Sequence, residues 1–191
     1  MLSPDDGAKN ERYSLVQTAL GVCGVAWNRA GLTCVHLPER TAAATESRLR
    51  HRPATRADNS LPDLIEHTIA ALQRYCAGTR EHFADIPLDM SMLTAFDRAV
   101  NGALRDVAWG RTTTYGTLAV SVGLPDAARA VGVAMSRNAW PIIIPCHRVL
   151  AANGAMGGFS AYGGALTKQK LLALEGNGGD MLPLFMQEPE Q

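Results

Sequence analysis

Apolar and polar positions alternate in three short segments near the N-terminus, a pattern typical of half-buried strands. The first two, 13–18 and 22–28, flank a turn at Gly21, and the third, 32–37, follows a turn at 28–31. Strands joined by such short connections pair antiparallel. The pattern therefore predicts a small antiparallel sheet of three strands.

Further along the chain the apolar spacing changes to that of a helix. Over 61–75, large apolar residues recur three and four positions apart, which predicts an amphipathic helix. Ser60, with an acid three residues later, is typical of a capped helix start, and Gly78 of a helix end. The intervening segment 40–59 lacks large apolar residues at its centre. We expect a surface loop or an exposed, weakly anchored helix there.

Three more helices are predicted in the second half. One begins at the capping residue Thr94 and carries apolar residues as far as Val107. Two shorter ones, 115–122 and 126–137, are separated by a Gly-Leu-Pro turn, and Asp126 is the predicted cap of the last. Short helices joined in this way are typical of a helix-turn-helix. The last helix is mostly alanine and valine, so it can approach a partner closely.

A potential nucleophile and a potential base stand side by side after an apolar run. Pro141 and Pro145 bracket the isoleucines 142–144, which predicts a short buried extended segment ending at Cys146 and His147. Neighbours on an extended chain point to opposite faces, so contact between these two requires a bridging water or a turn. A free thiol has a pKa of about 8.5, so a nucleophilic cysteine needs help to ionise.

Length and charge narrow the possible partners. The chain has 191 residues, enough for one domain or two small ones. Its 18 basic and 18 acidic residues balance overall, but 92–175 holds 8 basic and 4 acidic side chains, which is compatible with phosphate contacts. No apolar run approaches the roughly 20 residues of a membrane span, and the polar N-terminus is unlike a signal peptide. We therefore expect a cytoplasmic protein with no membrane association.

The four cysteines lack the short paired spacing of a zinc site, and their number is low for a disulfide framework. We expect free thiols in a reducing compartment. Outside the Cys-His pair, the cysteines fall in apolar segments and are interpreted as small core residues. A metal cluster of Cys23, Cys34 and His36 is the minor alternative.

An ordered series of motifs resembles the O6-alkylguanine-DNA alkyltransferases, also called methylated-DNA-protein-cysteine methyltransferases. The resemblance covers about 93–176, and upstream it is looser, limited to a strand pattern and a few residues from Tyr75 to Leu88. The motifs that carry it are Tyr115, ARAVG at 128–132, Asn138, PCHRV at 145–149, the glycine-rich 154–164 and LLALEG at 171–176.

The resemblance implies an α+β protein of two domains. The first, at 1–91, is a ribonuclease-H-like scaffold with a small antiparallel sheet and helices. The second, at 92–178, is a mostly helical winged helix-turn-helix domain that carries the active-site cysteine. An acidic tail at 179–191 follows.

The function implied is DNA repair by direct reversal, in which the alkyl group of O6-alkylguanine moves to the cysteine. No cofactor and no metal are expected. The thioether product offers no route to cleavage, so each molecule is expected to act once. The expected partner is double-stranded DNA containing O6-alkylguanine, bound by a monomer, and activity on O4-methylthymine is left open.

Catalytic roles follow from the resemblance for five residues. Cys146 is the nucleophile, and His147 and Glu175 complete a Cys-water-His-Glu relay. Tyr115 hydrogen-bonds and protonates N3 of the leaving guanine, and Asn138 braces the active-site turn. A surface glutamate at a helix end is the alternative for Glu175, and a packed or capping aromatic for Tyr115.

Binding roles follow as well, because a base inside a duplex cannot reach a buried thiol and must be flipped out. The resemblance places the helix 126–137 in the minor groove, with Arg129 filling the gap in the stack. A surface salt bridge is the alternative for Arg129. The other residues assigned to DNA contact are Tyr115, Ala128, Ala130 and Gly132, and those assigned to the base pocket are Tyr115, Val149, Phe159 and Ser160. Phe159 and the pair Ala161-Tyr162 depart from some relatives, which leaves the pocket size open.

Three other functions are alternatives to alkyl transfer. A lesion sensor of the same architecture would lack the nucleophile, and Cys146 with its partners disfavours it. A transcription factor is disfavoured because alanines cannot make the bidentate contacts that specify sequence. A thiol hydrolase with a Cys-His pair is disfavoured because the resemblance supplies no substrate pocket for it, and a protease assay tests it.

Overall fold

The N-terminal half is built on a small sheet, seen in a computed structural model that describes residues 11–58 and 60–176. Strands β1 (Glu11–Thr18), β2 (Gly21–Asn28) and β3 (Gly31–His36) pair antiparallel, which confirms the predicted meander. A short β4 (Ala54–Arg56) adds to β1 in parallel orientation, giving the order β3-β2-β1-β4. The sheet is therefore mixed, because β4 pairs in parallel, and this strand lies within the segment where a surface loop or an exposed helix was expected.

Helix α1 (Ala42–Arg50) corrects the expectation of a weakly anchored segment. The side chain of Thr41 caps it, accepting from the Ala44 N–H at 3.1 Å. Leu49 is fully buried near its end and lies against Gly24 of β2, where a Cβ atom would come within 2.4 Å of the leucine side chain. Thr45 is fully buried as well and its hydroxyl donates to the Val22 carbonyl of β2 at 3.1 Å, so a buried leucine and a buried threonine together anchor the helix.

Two longer helices follow. Helix α2 (Asp63–Cys76) is present as predicted, but its cap residue is Pro62 with φ −60°, and no side chain caps it. The prediction of Ser60 as the cap is wrong, because the proline ring presets the backbone for helix entry. Helix α3 (Ala95–Arg105) confirms its predicted start, with the Thr94 side chain accepting from the Asp97 N–H at 3.0 Å.

The C-terminal half contains three shorter helices and a two-stranded parallel sheet. The two helices predicted around the Gly-Leu-Pro turn are present. The second begins after Ala127, and no side chain caps it, so the predicted cap at Asp126 is wrong. The elements are β5 (Thr113–Thr114), α4 (Tyr115–Ser121), α5 (Ala128–Ser136), β6 (Val149–Leu150) and α6 (Ala165–Leu174).

The isoleucines 142–144 form a buried turn, so the predicted extended segment is wrong. The Ile144 N–H donates to the Trp140 carbonyl at 2.8 Å, and Ile142 has a φ of 75°. A buried turn and a buried strand give the same apolar run, and periodicity does not separate them. A single 3₁₀ turn, Cys146–Arg148, follows directly. The thiol is therefore presented by a turn, the alternative named above, and not by the end of a strand.

The edge of the first sheet binds the segment that precedes the thiol. The Val35 N–H of β3 donates to the Ala139 carbonyl at 2.8 Å, and the Trp140 indole donates to the Leu32 carbonyl at 2.8 Å. One apolar cluster runs from Val16 through both halves to the last helix. The sheet thus supports the active-site turn from behind.

Three remaining expectations concern the cysteine metal cluster, membrane spans and the acidic tail. Cys23 and Cys34 lie in different apolar clusters, and the described part of the chain brings no three His, Cys, Asp or Glu side chains together as a metal site. Across 11–58 and 60–176, no helix has the length and apolar character needed to cross a bilayer. The acidic tail 179–191 lies outside the described residues.

Candidate active site

Cys146 opens onto a cavity of about 390 Å³, within the size range of small-ligand pockets. Larger cavities of about 520 and 650 Å³ lie elsewhere, but no cysteine or histidine lines them. Of these three cavities, that of Cys146 is the one lined by a cysteine. It is lined by Tyr115, Gly132, Met135, Ser136, Cys146, Gly158, Phe159 and Ser160.

Asn138 ties the thiol to the turn that presents it. Its amide nitrogen donates to the Ile144 carbonyl at 2.8 Å, and its amide oxygen accepts from the Trp140 N–H at 2.9 Å. Burial raises the pKa of the Cys146 thiol, while the hydrogen bond from Asn138, the charge of Lys168 and nearby backbone N–H groups act in the opposite direction. The predicted brace and the nucleophile are in contact.

The imidazole of His147 is fully buried behind the thiol. Its Nε2 lies 2.8 Å from Glu175 Oε1, and its Nδ1 has no hydrogen-bond partner among the described residues. Burial lowers the pKa of His147, Glu175 raises it, and Arg148 and Lys168 lower it further. A neutral ring with the proton on Nε2 fits this arrangement, because an ionised carboxylate can only accept. That tautomer leaves Nδ1 as the basic nitrogen.

Glu175 is buried, so it is not the surface glutamate of the alternative reading. It follows α6 as the cap residue and is 4% exposed. The Arg148 guanidinium holds it with two bonds of 2.8 Å, and the Gly110 N–H donates at 3.3 Å. Although burial opposes ionisation, the bonds from His147, Arg148 and Tyr75 lower the pKa of Glu175 to about 2. The carboxylate is a fixed negative charge at neutral pH.

Two partners of this carboxylate were not predicted. The Tyr75 hydroxyl donates to Glu175 Oε1 at 2.7 Å, and it reaches across 100 positions of the sequence. Arg148 belongs to the PCHRV motif, but nothing in its spacing showed that it would turn inward. The helical spacing placed Tyr75 on the apolar face of its helix. That position indicated a buried side chain but did not indicate a contact with the active site.

Lys168 is a third unpredicted residue, fully buried on α6. Its ammonium donates to the Val149 carbonyl at 2.5 Å and to the Met156 carbonyl. Burial lowers the pKa of Lys168, and the nearby Cys146 raises it. Val149, predicted to belong to the base pocket, lies behind the cavity with its side chain fully buried. Its carbonyl already accepts one hydrogen bond.

Tyr115 is half-buried at the first position of α4 and lines the cavity together with the thiol. Its hydroxyl lies close to Gly157, where a Cβ atom would come within 3.3 Å of the oxygen. Burial raises the pKa of Tyr115, and Cys146 raises it further. The hydroxyl is therefore protonated at neutral pH and can donate into the cavity.

Apart from Tyr115 on α4, the residues assigned to DNA contact lie along α5. Arg129 is exposed, and within the described residues it makes no hydrogen bond or ion pair. Ala130 is exposed, while Ala128 and Gly132 are half-buried, and Gly132 borders the cavity. Ala128 and Gly132, four positions apart, lie on one face of the helix, and the exposed Arg129 and Ala130 lie on its other sides.

The glycine-rich segment closes the cavity on its other side. Phe159 and Ser160 both line it, Phe159 half-buried and Ser160 exposed. The Tyr162 side chain is 50% exposed and lies outside this lining. The predicted pocket residues thus come together around Cys146, with Val149 set behind them.

Comparisons with known proteins point to one family. Residues 95–177 match the model of the 6-O-methylguanine DNA methyltransferase DNA-binding domain. A methylated-DNA–protein-cysteine methyltransferase of Mycolicibacterium paratuberculosis is 35% identical over 164 residues, covering 85% of this chain and 91% of the relative. The Mycobacterium tuberculosis O6-methylguanine methyltransferase is similar, with a TM-score of 0.70, 32% identity, and 86% and 92% of the two chains covered.

A second solved structure, of Mycobacterium tuberculosis OGT in complex with DNA, matches with a TM-score of 0.69 and 32% identity. It covers 87% of this chain and 92% of that chain. Both structures share the α+β fold with a small sheet and helices. On this sequence identity and coverage, the chain belongs to the methylated-DNA–protein-cysteine methyltransferase family.

Proposed function

We propose that the protein repairs DNA by moving an alkyl group from O6-alkylguanine to Sγ of Cys146, once per molecule. The observation that carries this proposal is a cavity that joins the thiol to a hydroxyl donor, backed by a buried His147–Glu175 pair. Membership of the methyltransferase family supports the reaction. The DNA complex of the Mycobacterium tuberculosis relative supports duplex DNA as the partner.

The first step is loss of the thiol proton. Nδ1 of His147 is the basic nitrogen of the buried ring, and it takes the proton of Cys146 through a bridging water. The imidazolium that forms is stabilised by Glu175, whose charge is fixed. Asn138 and Lys168 favour the thiolate at the same time. Burial keeps the thiol protonated at rest, and the thiolate forms when its proton moves to His147.

The second step is an in-line displacement at carbon. The thiolate forms a carbon–sulfur bond, the bond between that carbon and O6 breaks, and its electron pair stays on the guanine. Tyr115 donates a proton to ring nitrogen N3, so that the base leaves neutral. Because the thioether has no further nucleophile to cleave it, the reaction ends there.

Access to the thiol requires that the target base be flipped out of the duplex. Helices α4 and α5 act as a helix-turn-helix, with α5 in the minor groove and its small residues allowing close approach. Arg129 enters the stack when the base is flipped out, which offsets part of the cost of unstacking. The free guanidinium and the small neighbours on α5 support this role.

The layout proposed is a scaffold at 1–91 and a winged helix-turn-helix domain at 92–178. The bonds from β3 to the active-site segment support a scaffold that holds the turn of Cys146 in place. The proposal includes a ribonuclease-H-like fold for the scaffold. It also includes O4-methylthymine as a second substrate.

The test is intact mass and peptide mapping after mixing the protein with a duplex that contains one O6-methylguanine. We expect one methyl group on Cys146, saturating at one per protein, and none in the Cys146→Ser variant. Binding without added mass would establish a lesion sensor instead, and repeated turnover would contradict the single-use chemistry. A duplex with O4-methylthymine tests the second substrate in the same format.

A further inference from the structure

Three groups, two of them from neighbouring residues and one from a distant helix, meet at one carboxylate oxygen. Oε1 of Glu175 lies 2.7 Å from the Tyr75 hydroxyl, 2.8 Å from His147 Nε2 and 2.8 Å from an Arg148 nitrogen. The Tyr75 hydroxyl also lies 3.1 Å from His147 Nε2. All of these side chains are buried. The site proposed for alkyl transfer therefore includes a side chain from the N-terminal half.

From this geometry we propose that Tyr75 is a positioning residue for alkyl transfer, which acts through Glu175 on the basicity of His147. The inference rests on the proposed function, in which His147 takes the thiol proton. Arg148 alone already fixes the place of the carboxylate, because it binds both oxygens. What the hydroxyl adds is a third donor on the same oxygen that faces the imidazole.

That third donor limits how strongly the carboxylate attracts a proton on His147. A hydrogen bond to a charged acceptor withdraws part of its charge from other donors. With Tyr75 in place, His147 is held as a neutral base at a lower pH than Glu175 alone would allow. The groups that face the imidazole are Glu175 after α6, Arg148 from its own turn, Lys168 from α6 and Tyr75 from α2, with Cys76 beside the tyrosine.

The contribution of the Tyr75 hydroxyl can be tested apart from that of its ring, because the ring is held by its own packing contacts. The Tyr75 ring lies edge-on to Trp109 at 5.2 Å between centroids and tilted against Phe83 at 5.9 Å. A Tyr75→Phe substitution keeps these contacts and removes only the donor. Tyr13→Phe is a matched control, because Tyr13 is also buried and donates to a carboxylate, Glu46, at 3.1 Å, far from the thiol.

The first measurement is the titration of His147 by histidine ¹⁵N NMR in the DNA-free protein. We expect the protonated nitrogen of the neutral ring to be Nε2 in the unmodified protein. In Tyr75→Phe, the midpoint is expected to rise by about one pH unit, the effect of roughly one hydrogen bond to a charged group. Tyr13→Phe is expected to titrate like the unmodified protein.

The second measurement is the single-turnover rate of Cys146 methylation by the O6-methylguanine duplex between pH 5 and pH 9. Because protonated His147 cannot accept the thiol proton, the rate falls below its titration midpoint. Tyr75→Phe is expected to lose about tenfold on the acidic side, where a one-unit shift acts fully, and to match the unmodified protein at high pH.

The outcomes separate this inference from the proposed function. An unchanged titration midpoint would overturn the role of Tyr75, and so would an equal loss of rate at every pH, which is a structural effect. A shifted midpoint in a protein that never methylates Cys146 would sink the proposed function and leave the link from Tyr75 to His147 standing.

Discussion

Replacing Glu175 by glutamine is expected to lower the free energy of unfolding at pH 7 by about 3 kcal/mol. The carboxyl has a pKa of about 2 in place of its ordinary 4.5. Each tenfold change in proton affinity corresponds to about 1.4 kcal/mol, so the ionised form is favoured by roughly 3 kcal/mol in the folded protein. The loss of one partner from a buried ion pair, here with Arg148, typically costs about 3–5 kcal/mol and gives the same range.

The pH dependence follows with a definite sign. Because the folded-state pKa of Glu175 is lowered, its stabilisation is full above about 4.5 and is lost as the pH falls toward about 2. Glutamine cannot titrate, so the gap between the two proteins is expected to shrink from about 3 kcal/mol at pH 7 to about 1.4 kcal/mol at pH 3. Urea unfolding at the two pH values measures both gaps.

The matched control is Asp58→Asn on the surface. Arg12 pairs with Asp58 at 2.6 Å, but their side chains are 45% and 78% exposed, so this change is expected to cost less than about 1 kcal/mol. If Glu175→Gln costs no more than this control, or if its gap stays constant with pH, the buried relay does not have the energetics derived from its geometry.

Three further changes test other parts of the site. Arg129→Ala is expected to slow repair in duplex DNA more than transfer from free O6-methylguanine base, measured as rates of Cys146 methylation; equal losses would remove its role in base flipping. Asn138→Ala removes a bond that lowers the thiol pKa, so alkylation of Cys146 by iodoacetamide is expected to shift to higher pH, and an unshifted profile would exclude the brace. Lys168→Met leaves two backbone carbonyls without their donor and is expected to cost about 1–3 kcal/mol in urea unfolding, whereas unchanged stability would show that the buried ammonium is dispensable.

Features fixed by neighbouring residues were predictable from the sequence. The meander follows from alternation around tight turns, and the start of α3 follows from a threonine whose side chain caps the helix within three positions. The same local logic failed at Ile142, where a buried turn has the composition of a buried strand. It failed again at Leu49 of α1, because Gly24, the glycine that receives it, lies on β2, 25 positions earlier in the sequence.

In the candidate site, too, some residues could be predicted from the sequence and others could not. The nucleophile and its neighbour stand together in the chain, and the family resemblance supplied Glu175 and Tyr115. The contact of Tyr75 with Glu175 spans 100 positions, so no periodicity or spacing could indicate it. Arg148 and Lys168 carry charges that usually mark exposed positions, and only the tertiary structure shows that each is buried against hydrogen-bond acceptors.

The order in which a ribosome makes these groups has a consequence for the thiol. Glu175 follows His147 by 28 positions, which translation covers in about 1.5–6 s. Until then a nascent chain holds Cys146 and His147 without the buried carboxylate that fixes the ring's tautomer. The carboxylate is made after every other member of the relay. The relay that activates the thiol is therefore complete only once α6 has been synthesised and has packed against the rest of the site.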